Sequence, residues 1–349
     1  MNNGSQTNDK VMLFTPYFRQ SRGNSTTAKR LVKGLREKGI TVHVFAYEER
    51  VWDEEAERLF QEVDLIHIIH LKRFSHWMKR HKDVQLNKPY ILTSGGTDIN
   101  EDLKNPEAVK LMVSVADESC AITVFSKDGK DKIVQAYPHL AERIYVIAQS
   151  VEMKKKKVKS SIGTLVGSPH FLLPAGLRPV KDVLFLFDEL LKMRKTWPNL
   201  TFTIIGPVLD EAVYKKVENL EKEHSWFRYQ REIEFEEMPT VYEAADYVLN
   251  TSISEGQPSA LLEAMKLEKP VLARKIPGNE SIIVDKLTGM LFQTPEEFHE
   301  KVNELFAWQE REQEMVQLAK KYVEEHHSVE REIRQFLQVY EHCLAKAYV

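Results

Sequence analysis

Short apolar runs rich in β-branched residues alternate with stretches of helical spacing along the whole chain, the pattern of parallel sheets flanked by helices. In the first half, VMLFTPY (11–17), ITVHVFAY (40–47), DLIHIIH (64–70), PYILTS (89–94), CAITVFS (120–126) and RIYVIAQS (143–150) read as strands. The loop FRQSRGNS follows the first of these, and the spacing then predicts a helix from about Thr26 to Lys38. The second half restarts the pattern. FLLPAG (171–176), NLTFTIIGP (199–207), DYVLNTS (246–252), KPVLAR (269–274) and GMLF (289–292) read as strands, and VKDVLFLFDELLKMRKTW (180–197) as one helix. The final VEREIRQFLQVYEHCLAKA carries Ile333, Phe336, Leu337, Tyr340 and Leu344 along one stripe.

Between the halves, MKKKKVKSSIGTLVGS (153–168) holds five lysines, then serines and glycines, the composition of a solvated hinge. The expected architecture is α/β: two Rossmann-like doubly wound parallel-sheet domains, 1–152 and 169–328, facing across a cleft. Segment 153–168 is the linker, and helix 329–349 is expected to pack back toward the first domain. Ligands of such sheets bind at the carboxyl ends of the strands.

At 349 residues, 42% hydrophobic and 29% charged, the chain is long enough for two ordinary cores. A net charge of −3 argues against gripping nucleic acid. Cys120 and Cys343 are too few for a disulfide framework or a four-ligand zinc site. The opening MNNGSQTNDK lacks the apolar stretch of a signal peptide, and no apolar run reaches the roughly 20 residues of a membrane span. The expected location is the cytoplasm, so sequons such as Asn199-Leu-Thr carry little weight.

A nicotinamide dehydrogenase would need G-x-G-x-x-G after an early strand, and no G-x-G occurs. The G-x-x-x-x-G-K-[ST] phosphate loop, H-E-x-x-H and any Asp-x-Asp pair are also missing. A phosphate-binding site without metal or cofactor survives these exclusions. SISEGQPSALLEAM (252–265) fits it, because EGQP is a strand-to-helix turn. Pro258 suits a first helical turn, Ser259 can satisfy a free amide, and Gly256 permits close backbone approach. The exposed amides and helix dipole favour phosphate. Carboxylates do not, so Glu263 suits a ribose diol and Glu255 a sugar hydroxyl. From spacing alone, the commoner explanation is a buried helix with an acidic residue complementing its dipole.

Glu-x7-Glu followed by Ala-Met resembles the retaining GT-B glycosyltransferases of family 4. The resemblance runs through the second domain and the last strand of the first, in LPAGLRPVKDVLFLFDEL, RIYVIAQSVE and KPVLARKIPGNESIIVDKLTGMLF. GGTDINED, GLRPVKD, SEGQPSALLEAM and VLARKIPGNESI together are similar to the glycosyltransferase 1 domain-containing protein 1 group.

The resemblance implies sugar transfer, with retention, from a nucleotide diphosphate sugar such as a UDP-sugar to a sugar, lipid or small-molecule acceptor. It assigns the ribose to Glu263 and the donor sugar to Glu255. The phosphates fall to backbone amides around the stretch Gly256, Gln257, Pro258, Ser259, Ala260, Leu261 and Leu262. Lys181, with Arg178, would neutralise the leaving diphosphate. Many relatives carry that arginine two positions earlier, where this chain has Gly176. Nucleotide-sugar epimerases share the fold, and a catalytically silent nucleotide-sugar-binding protein is the reading from another class.

Two departures stand out. The family's His-Gly-Thr-Asp is Gly95-Gly96-Thr97-Asp98 here, and its hinge Asn-Gly-Val-Asp is Gln149-Ser150-Val151-Glu152. On the acceptor side, Gly96, Thr97 and Asp98 are joined by Gly23 and Asn24, expected in a loop before the first helix, and by His70. HLKRFSHWMKRHK (70–82) sets Phe74, Trp77, Met78 and His81 at helical spacing among five Lys/Arg. A peripheral membrane helix has this pattern. So does the commoner helix that covers a sheet with a basic outer face.

Overall fold

The computed structural model of the chain describes residues 9–20, 23–153 and 167–347. It divides into two compact units, one formed by residues up to 150 together with those from 329 onward, the other by 151–328. Of the expected hinge, only Met153, Gly167 and Ser168 lie within the described residues.

In the first unit the strands are β1 (Lys10–Thr15), β2 (Thr41–Ala46), β3 (Leu65–Ile69), β4 (Tyr90–Thr93), β5 (Ala121–Val124) and β6 (Ile144–Val146). Among the described residues they form one parallel sheet in the order β2-β1-β3-β4-β5-β6. Strands buried on both faces are nearly continuous apolar runs, as in LIHII of β3, whose one polar residue is His67. The chain order reverses between β1 and β3, where doubly wound sheets hold ligands.

The helix after β1 begins earlier than its spacing predicts, at Gly23 and not Thr26, so Gly23 and Asn24 belong to its first turn and not to a loop. Phe74 and Trp77, on the helix Leu71–Arg80, are 0% and 1% exposed. Their rings meet Phe14, whose centroid lies 5.5 Å from Phe74 and 5.7 Å from Trp77. Burying rings of this size stabilises by about 2–3 kcal/mol each. The aromatic stripe is therefore core, and this is the helix that covers a sheet: an interfacial helix would need that face free. Among the described residues no helix is long and apolar enough to cross a membrane.

The C-terminal helix Val329–Ala347 also packs into the first unit. Ile333, Phe336, Val339 and Tyr340 join Leu31, Leu35, Val11 and Leu13 in one buried cluster. Glu332, 1% exposed, receives Arg30 through Nε at 2.8 Å and Nη2 at 2.9 Å, and the Ser150 hydroxyl at 2.5 Å. His67 bridges Tyr340 Oη at 2.7 Å and Thr93 Oγ1 at 2.6 Å, so a polar chain crosses from helix to sheet.

The second unit holds β7 (His170–Pro174), β8 (Thr201–Ile205), β9 (Phe227–Gln230), β10 (Tyr247–Asn250), β11 (Val271–Arg274) and β12 (Met290–Phe292). Among the described residues these form a parallel sheet in the order β12-β11-β10-β7-β8-β9, which reverses between β7 and β10. The single helix expected over 180–197 is broken. A short 3-10 turn covers Pro179–Lys181, Asp182 takes the left-handed region at φ 43°, and the helix proper is Phe187–Met193.

Candidate functional site: the switch point of the second sheet

Both segments of interest leave the second sheet at its topological reversal. After β7 the chain runs Ala175-Gly176-Leu177-Arg178, and beside it β8 exits through Gly206. Gly206 has φ 155°, and a Cβ there would lie 2.3 Å from the Ala175 carbonyl oxygen, so only glycine lets the two exits run side by side. Their pairing extends past the sheet: Leu177 N–H donates to Pro207 O at 2.8 Å, and Leu209 N–H to Leu177 O at 3.1 Å.

The turn at 178–182 is stitched to the turn after β10. Ile253 N–H donates to Val180 O at 2.9 Å, and Thr251 Oγ1 to Lys181 O at 3.0 Å. This brings together two residues 74 apart in sequence: Lys181 Nζ donates to Glu255 Oε1 at 2.5 Å. The same oxygen accepts from Ser252 Oγ at 2.7 Å and Asn250 Nδ2 at 3.2 Å. Burial pushes the Glu255 carboxyl up, but the Lys181 ammonium and the hydrogen bonds outweigh it and hold it below the usual carboxylate range. The side chains are 18% and 10% exposed, so the pair is largely shielded from water. Arg178 Nε is buried without a hydrogen-bond partner, an unsatisfied cationic donor beside this pair in sequence.

The helix after β10 covers Ser259–Lys266, beginning directly after the turn EGQP. Pro258 is its N-cap, in extended conformation, with no side-chain cap, and Ser259 is the first helical residue and does not cap. No acidic residue stands in its first turn. Glu255 is turned toward Lys181, so complementing the dipole does not explain it. Glu263, 8% exposed, takes a 2.7 Å hydrogen bond from Tyr242 Oη on Oε2, which fixes the carboxylate plane. Leu261 and Leu262 are 0% exposed, backbone included, and Leu262 N–H donates to Pro258 O at 3.4 Å, so the structure does not present these two expected phosphate-binding residues to a ligand.

In the first unit, His70, Gly96, Thr97 and Asp98 gather at the carboxyl ends of β3 and β4. Asp98 Oδ2 accepts Leu71 N–H at 3.1 Å and Ser94 Oγ at 2.6 Å, and Oδ1 accepts Gly96 N–H at 3.1 Å. His70, with φ 75°, caps the helix Leu71–Arg80 and sets Nδ1 3.6 Å from Asp98 Oδ2. Burial lowers the His70 imidazole below its usual range, although Asp98 opposes this. Nδ1 itself has no hydrogen-bond partner. Gly23 opens the helix after β1 with open space around it.

Residues 154–322 match the family described as glycosyl transferases group 1. Over 332 residues the chain is 34% identical to glycosyltransferase 1 domain-containing protein 1 of Xenopus tropicalis, covering 92% of this chain and 94% of that one. The chain belongs to the group 1 glycosyltransferases. Its fold is that of the GT-B proteins. The Anabaena protein HepE, solved in complex with UDP-glucose, matches with a TM-score of 0.78 at 16% identity over 95% of this chain and 99% of that one. Sucrose-phosphate synthase of Thermosynechococcus elongatus matches with a TM-score of 0.77 at 14% identity over 97% and 100%.

Within this group 1 glycosyltransferase, further side chains to which the sequence alone assigns no role hold Glu255 and its turn. Asn250 and Ser252 hold Glu255. Asn279, 0% exposed, donates to Arg274 O at 2.8 Å and Asn250 Oδ1 at 3.3 Å. Arg274 pairs with Asp182 at 2.9 Å and lies 4.1 Å over the Phe185 ring. For Asn250 the sequence signal is a polar residue ending the apolar run YVLN. In the first unit, the departure at Gly95 has a partner: a Cβ there would sit 2.1 Å from the Phe125 ring, so Phe125 fills the space a larger residue would take.

Proposed function

We propose that this glycosyltransferase is a retaining enzyme that uses a nucleotide diphosphate sugar, a UDP-sugar, without a divalent metal. The observation that carries the reading is the Lys181–Glu255 contact at the reversal of the second sheet, beside the uncapped start of helix Ser259–Lys266. UDP complexes of GT-B neighbours support the choice of base.

In this reading the diphosphate meets the first amides of the helix, Lys181 and Arg178. Glu263, oriented by Tyr242, takes the ribose diol. Glu255, kept ionised by its surroundings, accepts from the donor sugar's hydroxyls. As the sugar–phosphate bond breaks, negative charge grows on the diphosphate. Lys181 and Arg178 would stabilise it, since charge placed where charge develops lowers a barrier. No acidic pair is needed to bring a metal. Gly96, Thr97, Asp98 and His70, at the strand ends of the other unit, are the acceptor-side candidates.

A thermal-shift panel of UDP-, GDP- and ADP-sugars in excess chelator tests the donor, and NMR of the product tests the anomeric outcome. A UDP-sugar should stabilise best, and the product should keep the donor's anomeric configuration. Stabilisation only after metal is added, or an inverted product, contradicts the proposal.

A further inference from the structure

We propose that Glu255 competes with the donor diphosphate for Lys181, so that the Lys181–Glu255 pair loosens the hold on a nucleoside diphosphate that carries no sugar and speeds its release as product. This rests on the nucleotide-sugar reading above and adds a second task for Glu255.

The ammonium that would neutralise the diphosphate is already engaged, at 2.5 Å from Glu255 Oε1. A diphosphate arriving at the helix start must therefore draw Lys181 away or share it. In a site this shielded from water, charges at contact distance interact strongly, so the competition is felt. Separating a buried ion pair is costly when it leaves one charge alone. Here it does not, because Ser252 Oγ at 2.7 Å and Asn250 Nδ2 at 3.2 Å reach the same oxygen. Asn250 is itself held, since its Oδ1 accepts from Ser252 N–H at 3.1 Å and Asn279 Nδ2 at 3.3 Å. Glu255 thus keeps two neutral donors whether Lys181 is present or gone, the arrangement an exchangeable pair needs.

Lys181 stays within reach of either anion, because its backbone is anchored through Thr251 Oγ1 at 3.0 Å while only the side chain moves. A nucleotide sugar brings hydroxyl donors that compensate Glu255 for the lost ammonium. A bare nucleoside diphosphate brings none, and leaves a carboxylate facing phosphate. After transfer Glu255 recaptures Lys181, and the product is held less tightly.

Calorimetric titration of UDP and of inorganic pyrophosphate into four proteins tests this: wild type, Glu255→Gln, Lys181→Met and the double variant. Glu255→Gln should bind both ligands about tenfold tighter than wild type, the effect of freeing one charged hydrogen bond. In the Lys181→Met background the same change should gain less than about threefold, because no lysine is left to release. Equal or weaker binding by Glu255→Gln overturns the proposal. An equal gain in both backgrounds overturns it too, by reducing Glu255 to plain repulsion of phosphate. If wild type binds neither ligand, the nucleotide reading itself fails, a result distinct from either. Should Glu255→Gln not fold, Glu255→Ala, which also removes the carboxylate, takes its place with the same expectation.

Discussion

Burial holds the His67 imidazole at about 3, far below its ordinary 6.5, and its two ring nitrogens are committed to Tyr340 and Thr93. The neutral ring is the folded form, so the unfolded chain takes up a proton at a higher pH than the folded one. Stability is therefore complete above 6.5 and falls as the pH drops from 6.5 toward 3. Between pH 7 and pH 5 this one group should remove about 1–2 kcal/mol. Urea unfolding at both pH values, in wild type and His67→Gln, measures it: the difference between the two proteins should shrink on acidification. A constant difference would mean that His67 titrates normally in the fold. Glu255 has the same sense in a more acidic window. Its carboxyl is depressed, so its share of stability persists down to the ordinary 4.5 and is lost below it.

At the scale of elements, the segment Pro277–Glu280 is pressed against the turn that carries Glu255. A Cβ on Gly278 would lie 2.5 Å from the Glu255 carbonyl oxygen and 2.7 Å from its Cβ, so the glycine is demanded by close approach and not by its φ. Backbone cannot yield as a flexible side chain does. Gly278→Ala should lower stability by about 1–3 kcal/mol and reduce turnover more than tenfold, because it displaces Glu255 from Lys181. Melting temperature and initial rate check the two effects, and unchanged turnover would detach this segment from the site.

The elements most legible in the sequence are those whose burial is symmetric. β1 (KVMLFT) and β8 (TFTII) are buried along nearly their whole length and, rich in apolar and β-branched residues, read directly as strands. β9 (FRYQ) escaped notice because only Phe227 among its residues is fully buried. The helix expected over 180–197 shows the other limit. Its apolar spacing is real, yet Asp182 breaks it by pairing with Arg274 at 2.9 Å in a left-handed turn, and that break aims Lys181 at Glu255. Local periodicity carries no information about a partner 74 residues away. Glu255, Glu263 and Lys181 are marked by a motif and a resemblance, whereas the roles of Asn250, Ser252, Asn279 and Tyr242 follow only from the fold, which sets the helices Met238–Ala244 and Pro277–Glu280 against the turn and helix after β10.

Over the whole molecule, the chain leaves its first unit at Ser150 and returns to it at Val329. The return is secured by Glu332, which receives Arg30 and Ser150 while 1% exposed. Removing that carboxylate strands a buried guanidinium, which typically costs 3–5 kcal/mol, so Glu332→Ala should destabilise by about that much. Hydrogen exchange followed by mass spectrometry locates the effect: amides of β1, β3 and the C-terminal helix should lose protection while those of β7, β8 and β10 keep it. Uniform loss across both units would mean that they do not unfold separately.

The proposed nucleotide diphosphate site lies at the reversal of the second sheet, with Glu263 on the ribose. Calorimetric titration of UDP and UDP-glucose into wild type and Glu263→Gln, in excess chelator, tests it most directly. Both ligands contain the ribose, so the variant should weaken both alike, by roughly ten- to hundredfold, the worth of a charged hydrogen bond. Unaltered affinity for both ligands, or binding that vanishes from the wild type under chelation, would contradict it.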